Sequence, residues 1–236
     1  MLMDNPFFLA LDFRSAKEVQ QFIDKHNFYG VPVKVGMELF YREGTQIIKW
    51  LKQHNHPIFL DLKLHDIPTT VEKAMFNLAN LNVDIVNVHA TGGSEMIKAA
   101  KRGLQAGTTN SPPKLIAVTV LTSMDQIVLE NELYIKQSIE DAVKRLALLS
   151  KESGADGVVC SARETNRIKQ VCGNEFLTVT PGIRLANSNK DDQKRVATPA
   201  FAKKNGADYL VIGRSITKAD NPKANYERVI KEWNNA

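Results

Sequence analysis

Cysteine is almost missing from this chain. Only Cys160 and Cys172 occur, with no Cys-x-x-Cys spacing, which excludes a disulfide framework and a cysteine zinc site and leaves two buried thiols as the expectation. Long hydrophobic runs are missing too, since stretches such as Leu115-Ile116-Ala117-Val118 fall far short of the ~20 residues that a membrane helix needs. No membrane partner is expected. The start, Met1-Leu2-Met3-Asp4-Asn5-Pro6, lacks the basic segment and small-residue cleavage site of a secretory signal, so the cytoplasm is the expected location. Charge of one sign does not dominate: 31 basic against 26 acidic residues give +5. The basic residues are scattered through helices, in groups such as Lys203-Lys204, without a basic stripe or interleaved aromatics. A nucleic-acid surface is therefore not expected, whereas a mild attraction for small phosphorylated anions is. The fingerprints GxxxxGK[ST] and GxGxxG are absent, which removes the usual signatures of nucleotide triphosphate and dinucleotide sites.

What is present is an alternation. Short apolar segments at Phe7–Leu11, Val31–Val35, Ile58–Leu62, Ile85–Val88, Leu115–Val120, Gly157–Cys160, Leu177–Thr180 and Tyr209–Ile212 have the near-continuous hydrophobicity of parallel strands buried on both faces. Amphipathic stretches lie between and after them, at Ala16–His26, Thr45–Gln53, Val71–Leu81, Glu95–Gln105, Lys136–Lys151, Thr165–Val171, Pro199–Asn205 and Lys223–Trp233. Several of these lead into glycine, at Gly107, Gly154 and Gly206, as helix C′ positions commonly do. Eight strands alternating with eight helices predict an α/β fold, a (β/α)8 barrel, in one domain spanning residues 1–236. Periodicity by itself leaves an open doubly wound sheet as the alternative. No linker, low-complexity tract or long repeat divides the chain.

The run Asp61-Leu62-Lys63-Leu64-His65-Asp66 places a lysine between two aspartates at the end of an apolar strand. Strand alternation predicts that Asp61 and Lys63 share a face, with Asp66 in the turn beyond. Desolvated charges are costly unless they pair with one another or with a ligand, so the run reads either as a site or as a structural ion pair. In a barrel, chemistry sits at the C-terminal ends of the strands. There the chain offers Asp12, Lys34, the Asp61–Lys63 pair, Asn87 and His89, Thr122 and Ser123, Thr180-Pro181-Gly182-Ile183-Arg184, and Gly213-Arg214-Ser215. The two Gly-x-Arg and Gly-Arg elements follow the last two strands, the usual phosphate seat of this fold, where glycine admits the backbone and arginine supplies a forked donor. Gln193, in the long loop after strand seven, is placed to fold over a bound anion.

These residues resemble orotidine 5′-phosphate decarboxylases of the bacterial type nearly end to end. The likeness is carried by Leu9-Ala10-Leu11-Asp12, Val33-Lys34-Val35-Gly36, the run from Asp61 to Thr70, Val88-His89-Ala90, Val118-Thr119-Val120-Leu121-Thr122-Ser123, Thr180-Pro181-Gly182-Ile183-Arg184 and Val211-Ile212-Gly213-Arg214. The resemblance implies loss of carbon dioxide from C6 of orotidine 5′-phosphate to give uridine 5′-phosphate, with no metal and no organic cofactor. By the same resemblance Lys63 donates the proton, Asp61 faces the leaving carboxylate, and Lys34 and Asp66 complete an alternating charge row. Asp66 and Thr70 would serve the site of a second subunit, which implies a homodimer. Asp12 and Lys34 would hold ribose hydroxyls, Thr122 and Ser123 would meet the pyrimidine, and Pro181, Arg184, Gln193, Gly213 and Arg214 would hold the far end with its phosphate.

His65 and His89 read better as hydrogen-bonded structural residues than as bases, because a lysine between carboxylates stays protonated more readily than a histidine. Asn87 likewise reads as support for a strand end. The nearest rival is a magnesium-dependent sugar-phosphate decarboxylase or aldolase, which resembles the chain at Asp61, Lys63 and Asp66 but keeps a glutamate where Lys34 stands. A non-catalytic phosphate-binding barrel is the rival from another class, and it would have no use for the charge row.

Overall fold

The computed structural model describes residues 5–185 and 196–236, so Gln193 lies outside the described residues. Eight parallel strands close into a barrel in sequence order, with β1 hydrogen-bonded to β8. They are β1 (Phe7–Ala10), β2 (Val33–Gly36), β3 (Ile58–Leu64), β4 (Ile85–His89), β5 (Lys114–Val118), β6 (Gly157–Val159), β7 (Leu177–Thr180) and β8 (Tyr209–Ile212). The helices are α1 (Ala16–His26), α2 (Met37–Glu43), α3 (Thr45–Gln53), α4 (Pro68–Ala79), α5 (Gly93–Ala106), α6 (Gln126–Asn131), α7 (Ile139–Glu152), α8 (Thr165–Cys172), α9 (Pro199–Lys204), α10 (Arg214–Thr217) and α11 (Pro222–Asn234). The closed barrel, rather than the open sheet, is thus the fold. Periodicity did not predict α2, α6 and α10, which are too short to develop a helical stripe.

Two apolar layers explain the near-continuous hydrophobicity of the strands. Phe8, Phe59, Ile85, Ile116, Val179 and Tyr209 fill the barrel interior, while alternate residues such as Leu9, Val33, Val35, Leu60 and Val86 pack outward against the helices. Burial of one apolar side chain contributes about 1.5–3 kcal/mol, so strands apolar on both faces are what hold the barrel closed. Helix ends follow local chemistry, with Ser15, Asp125, Ser138, Thr198 and Asn221 accepting backbone N–H bonds as N-caps. Gly154 and Gly206 adopt the left-handed φ of 88° and 84° expected just past a helix end. Gly107 does not: its φ is −85°, and its smallness serves packing instead. A Cβ there would stand 2.3 Å from the Phe76 carbonyl oxygen, so only glycine lets α5 approach α4 this closely.

The N-terminal rim of the barrel carries a repeated device. Asp84, just before β4, donates its N–H to the Ile58 carbonyl and accepts the Ile58 N–H at Oδ2, 2.7 Å away. Asp156, before β6, does the same with Leu115, and Asp208, before β8, with Thr178. Each Oδ2 also takes a lysine ammonium from the helix preceding the clamped strand: Lys52 at 3.5 Å, Lys101 at 2.6 Å and Lys169 at 2.6 Å. Unequal spacing hides a threefold recurrence that appears only when strands are laid side by side.

Candidate active site

The C-terminal ends of the strands open onto a cavity of about 260 Å3. Ten of the residues singled out from sequence line it: Asp12, Lys34, Asp61, Lys63, Thr122, Ser123, Pro181, Arg184, Gly213 and Arg214. Asp66 and Thr70 do not. Both are exposed, at the turn after β3 and in the first turn of α4, and the Asp66 carboxylate accepts the Ile67 N–H at 2.7 Å. The apolar floor, formed by Ala10, Phe59 and Val211, with Val118, Val159 and Cys160 at the wall, was not singled out from sequence. The pattern that marks these residues is the inward-facing register of strands, which only the closed barrel establishes.

Four charged side chains meet at one side of the cavity. The Lys34 ammonium lies 3.1 Å from Asp12 Oδ1 and 3.4 Å from Asp61 Oδ2, and Lys63 Nζ lies 2.6 Å from Asp61 Oδ1. Burial alone would lower the Lys34 pKa, but the charges of Asp61 and Asp12 outweigh it and hold the ammonium above its ordinary value. Burial alone would likewise raise the Asp61 pKa, and Lys34 and Lys63 together pull it below the usual carboxylate value. The paired charges of Lys34 and Asp61 are thus each favoured by the other against the cost of burial.

Strand alternation does not by itself deliver Lys63. Leu60 is level with Val86 and Leu64 with Val88, so β3 advances four residues where β4 advances two. Lys63 sits in this irregularity with φ 52°, a left-handed conformation that costs a non-glycine residue about 1–2 kcal/mol. Asp61 and Lys63 both reach the cavity, as expected, but through a bulge and not through an uninterrupted pleat. The Asn87 carboxamide bridges the irregularity, accepting the Lys63 N–H at 2.7 Å and donating to Asp61 Oδ1 at 2.6 Å.

Another part of the cavity is built at the ends of the last two strands. Gly182 has φ 78°, which turns the chain sharply after Pro181, and a parallel bridge joins Ile183 to Ala197. Arg184 follows this bridge, buried, with Nη1 donating to the Ile183 carbonyl at 3.0 Å. Arg214 opens α10 directly after Gly213. Cationic donors thus line the same cavity as the Asp61–Lys63 pair. His89, at the end of β4, lies tilted against His65, with ring centroids 5.5 Å apart. Burial, then the neighbouring His65 and Lys63, holds its pKa below the usual histidine value, as suits a neutral structural imidazole.

A parallel barrel with a charged, apolar-floored cavity at the C-terminal ends of its strands is the architecture of a (β/α)8 enzyme. The chain belongs to the orotidine 5′-phosphate decarboxylase / HUMPS family, whose model matches residues 5–229. It is 57% identical over 233 residues to an orotidine 5′-phosphate decarboxylase of Geobacillus sp. (strain WCH70), covering 98% of each chain. It is 53% identical over 233 residues to one of Bacillus cytotoxicus, again covering 98% of each. A crystal structure of orotidine 5′-phosphate decarboxylase from Lactobacillus acidophilus matches with a TM-score of 0.87 at 46% identity, covering 98% of this chain and 100% of that one.

Proposed function

We propose that this chain is a carboxy-lyase that converts orotidine 5′-phosphate to uridine 5′-phosphate in pyrimidine biosynthesis, with Lys63 as the proton donor. The observation that carries the reading is the Lys63–Asp61 contact at 2.6 Å, within the cavity that Arg184 and Arg214 also line. With phosphate held by the arginines, the pyrimidine C6 would lie toward Asp61 and Lys63. The C6–carboxylate bond breaks, carbon dioxide leaves, and the electron pair on C6 takes a proton from Lys63 Nζ. An ammonium placed where negative charge develops stabilises that charge without reorganisation. Asp61 faces the substrate carboxylate, and two like charges at ~4 Å repel by roughly 4 kcal/mol at an effective dielectric of ~20. Asp12 and Lys34 hold the ribose, Thr122 and Ser123 the base, and Pro181 and Gly213 let the backbone approach the phosphate end. Gln193, which lies outside the described residues, is read from the resemblance as a further contact to that end.

The reaction needs no metal or organic cofactor in this reading, which the Lys34 ammonium supports: it holds a positive charge beside both Asp12 and Asp61, where a metal cation would be repelled. Among the described residues no three His, Cys, Asp or Glu side chains gather as ligands. Full turnover in excess chelator is expected, and strict magnesium dependence would sink this part. Lys63→Ala should abolish release of carbon dioxide while uridine 5′-phosphate still binds; turnover near that of the parent would refute the assignment.

The working unit in this reading is a homodimer of single-domain subunits in the cytoplasm, with Asp66 and Thr70 completing the partner's site. Support comes from the exposure of Asp66 and Thr70, and from Ile67 between them, an apolar side chain 67% exposed. Among the described residues no helix is long and apolar enough to cross a membrane. Mixing Lys63→Ala and Asp66→Ala subunits tests the arrangement. If Asp66 acts across the interface, the mixed dimer contains one native site and regains activity, whereas a mixture as inactive as its parents rejects it.

A further inference from the structure

The inward-facing positions of β4 run Ile85, Asn87, His89, so a carboxamide stands in the barrel interior where apolar residues fill the corresponding layer. Asn87 is only 1% exposed and does not line the cavity, so it is not placed to touch a substrate. It faces the stretch of β3 where register with β4 is lost, and its side chain takes over there. The orientation of the amide is set by its partners: the Lys63 N–H can only donate and the Asp61 carboxylate can only accept, so Oδ1 must face the first and Nδ2 the second.

We propose that Asn87 is a positioning residue for the reaction, which holds the left-handed backbone of Lys63 and the carboxylate of Asp61 in one fixed relation. The proposal rests on the reading of Asp61 and Lys63 as the reacting pair. Asp61 Oδ1 is shared between Asn87 Nδ2 and Lys63 Nζ, each at 2.6 Å, while Oδ2 faces Lys34. With one oxygen pinned by a neutral donor, the carboxylate cannot rotate away from Lys63 without leaving that donor unsatisfied in a buried site. The N–H of Lys63, turned out of the strand ladder by φ 52°, would otherwise be a buried orphan. One asparagine satisfies both groups, which neither an apolar residue nor an aspartate does.

Steady-state kinetics of Asn87→Ala and Asn87→Asp across about pH 6–9 test this. Asn87→Ala is expected to lower kcat about a hundredfold, the cost of a misplacement near 1 Å, with KM changed by less than roughly threefold because the arginines are untouched. In Asn87→Asp the new carboxyl must carry a proton to donate to Asp61, and the neighbouring anion raises its pKa. Its kcat should therefore fall as pH rises across a range in which the parent protein is flat. A kcat for Asn87→Ala within threefold of the parent, or an Asn87→Asp pH curve that follows the parent, would overturn the proposal. Should neither variant fold, hydrogen exchange in the parent protein decides: the Lys63 amide is expected to be protected, and exchange as fast as an exposed turn would refute the clamp. Lys63→Ala gives the separate control. Retained turnover there removes the reacting-pair reading, while a loss of turnover there combined with normal kinetics in Asn87→Ala removes the positioning role alone.

Discussion

Lys34 and Asp61 face each other on adjacent strands with Nζ 3.4 Å from Oδ2 and side chains only 10% and 12% exposed. Burial works against the charged form of each. The lysine pKa is raised and the aspartate pKa lowered, in both cases against the effect of burial. The substrate cavity therefore contains a preformed field, and each charge in it depends on the next.

Removing one member should expose that dependence. Lys34→Met takes from Asp61 one of its cationic neighbours, and breaking a buried pair by deleting one partner costs about 3 kcal/mol or more. Urea denaturation at neutral pH should show a loss of this size. Acidification should narrow the gap between variant and parent, because the stability that Asp61 contributes through its lowered pKa exists above the unfolded value near 3.8 and is lost as pH falls through the folded one. A gap that stays constant into acid would reject the coupling.

Arg214→Ala should separate the two ends of the cavity. Affinity for uridine 5′-phosphate is expected to fall about a hundredfold, since a charge-assisted bond contributes about 1.5–3 kcal/mol and two such bonds are available to a guanidinium. Affinity for uridine should change little. Equal losses for nucleotide and nucleoside, measured by calorimetry, would remove the phosphate role from Arg214.

The N-terminal rim should bear on stability and not on turnover. In Asp208→Ala the Thr178 N–H and hydroxyl and the Lys169 ammonium lose their shared acceptor, whose present distances are 2.7, 2.8 and 2.6 Å. A loss of about 3 kcal/mol is expected from leaving such donors unsatisfied, with kcat and KM unchanged in the folded protein. A changed kcat at unchanged stability would contradict the division of labour between the two rims.

His56 makes a pH-dependent contribution of its own. It is fully buried, Nδ1 lies 2.7 Å from the Val31 carbonyl, and among the described residues Nε2 has no hydrogen-bond partner. Burial holds its pKa below 6.5, so the unfolded chain binds the proton first. The stability associated with neutral His56 is present above about pH 6.5 and declines as pH falls, by at most about 1.4 kcal/mol per unit. His56→Asn keeps a donor near the Nδ1 position and cannot titrate, so its stability curve should be flatter between about pH 5 and 6.5. A slope equal to that of the parent would show that other groups carry the acid sensitivity.

Much of this protein was legible in order along the chain. Strands buried on both faces have to be apolar almost throughout, and helices covering them have to carry one apolar stripe, so the alternation from Phe7 to Trp233 spelled out a parallel α/β fold. Polar residues such as Asp12, Lys34, Asp61 and Arg214 stood out for the same reason, as exceptions at strand ends. The short helices α2, α6 and α10 escaped because a turn or two shows no period. The apolar floor of the cavity escaped because inward and outward residues look alike until the barrel closes.

By itself, then, the sequence determined which residue types would meet at which end of the barrel. Only the tertiary structure decided how Lys63 comes to face Asp61, because that depends on the loss of register between β3 and β4 and on Asn87 filling the gap. The same holds for the aspartates at 84, 156 and 208, whose shared role lies in bonds to strands distant in the chain. Composition and period are properties of neighbours along the backbone, whereas a bulge, a clamp and a buried ion pair are relations between strands, and they exist only once the strands are side by side.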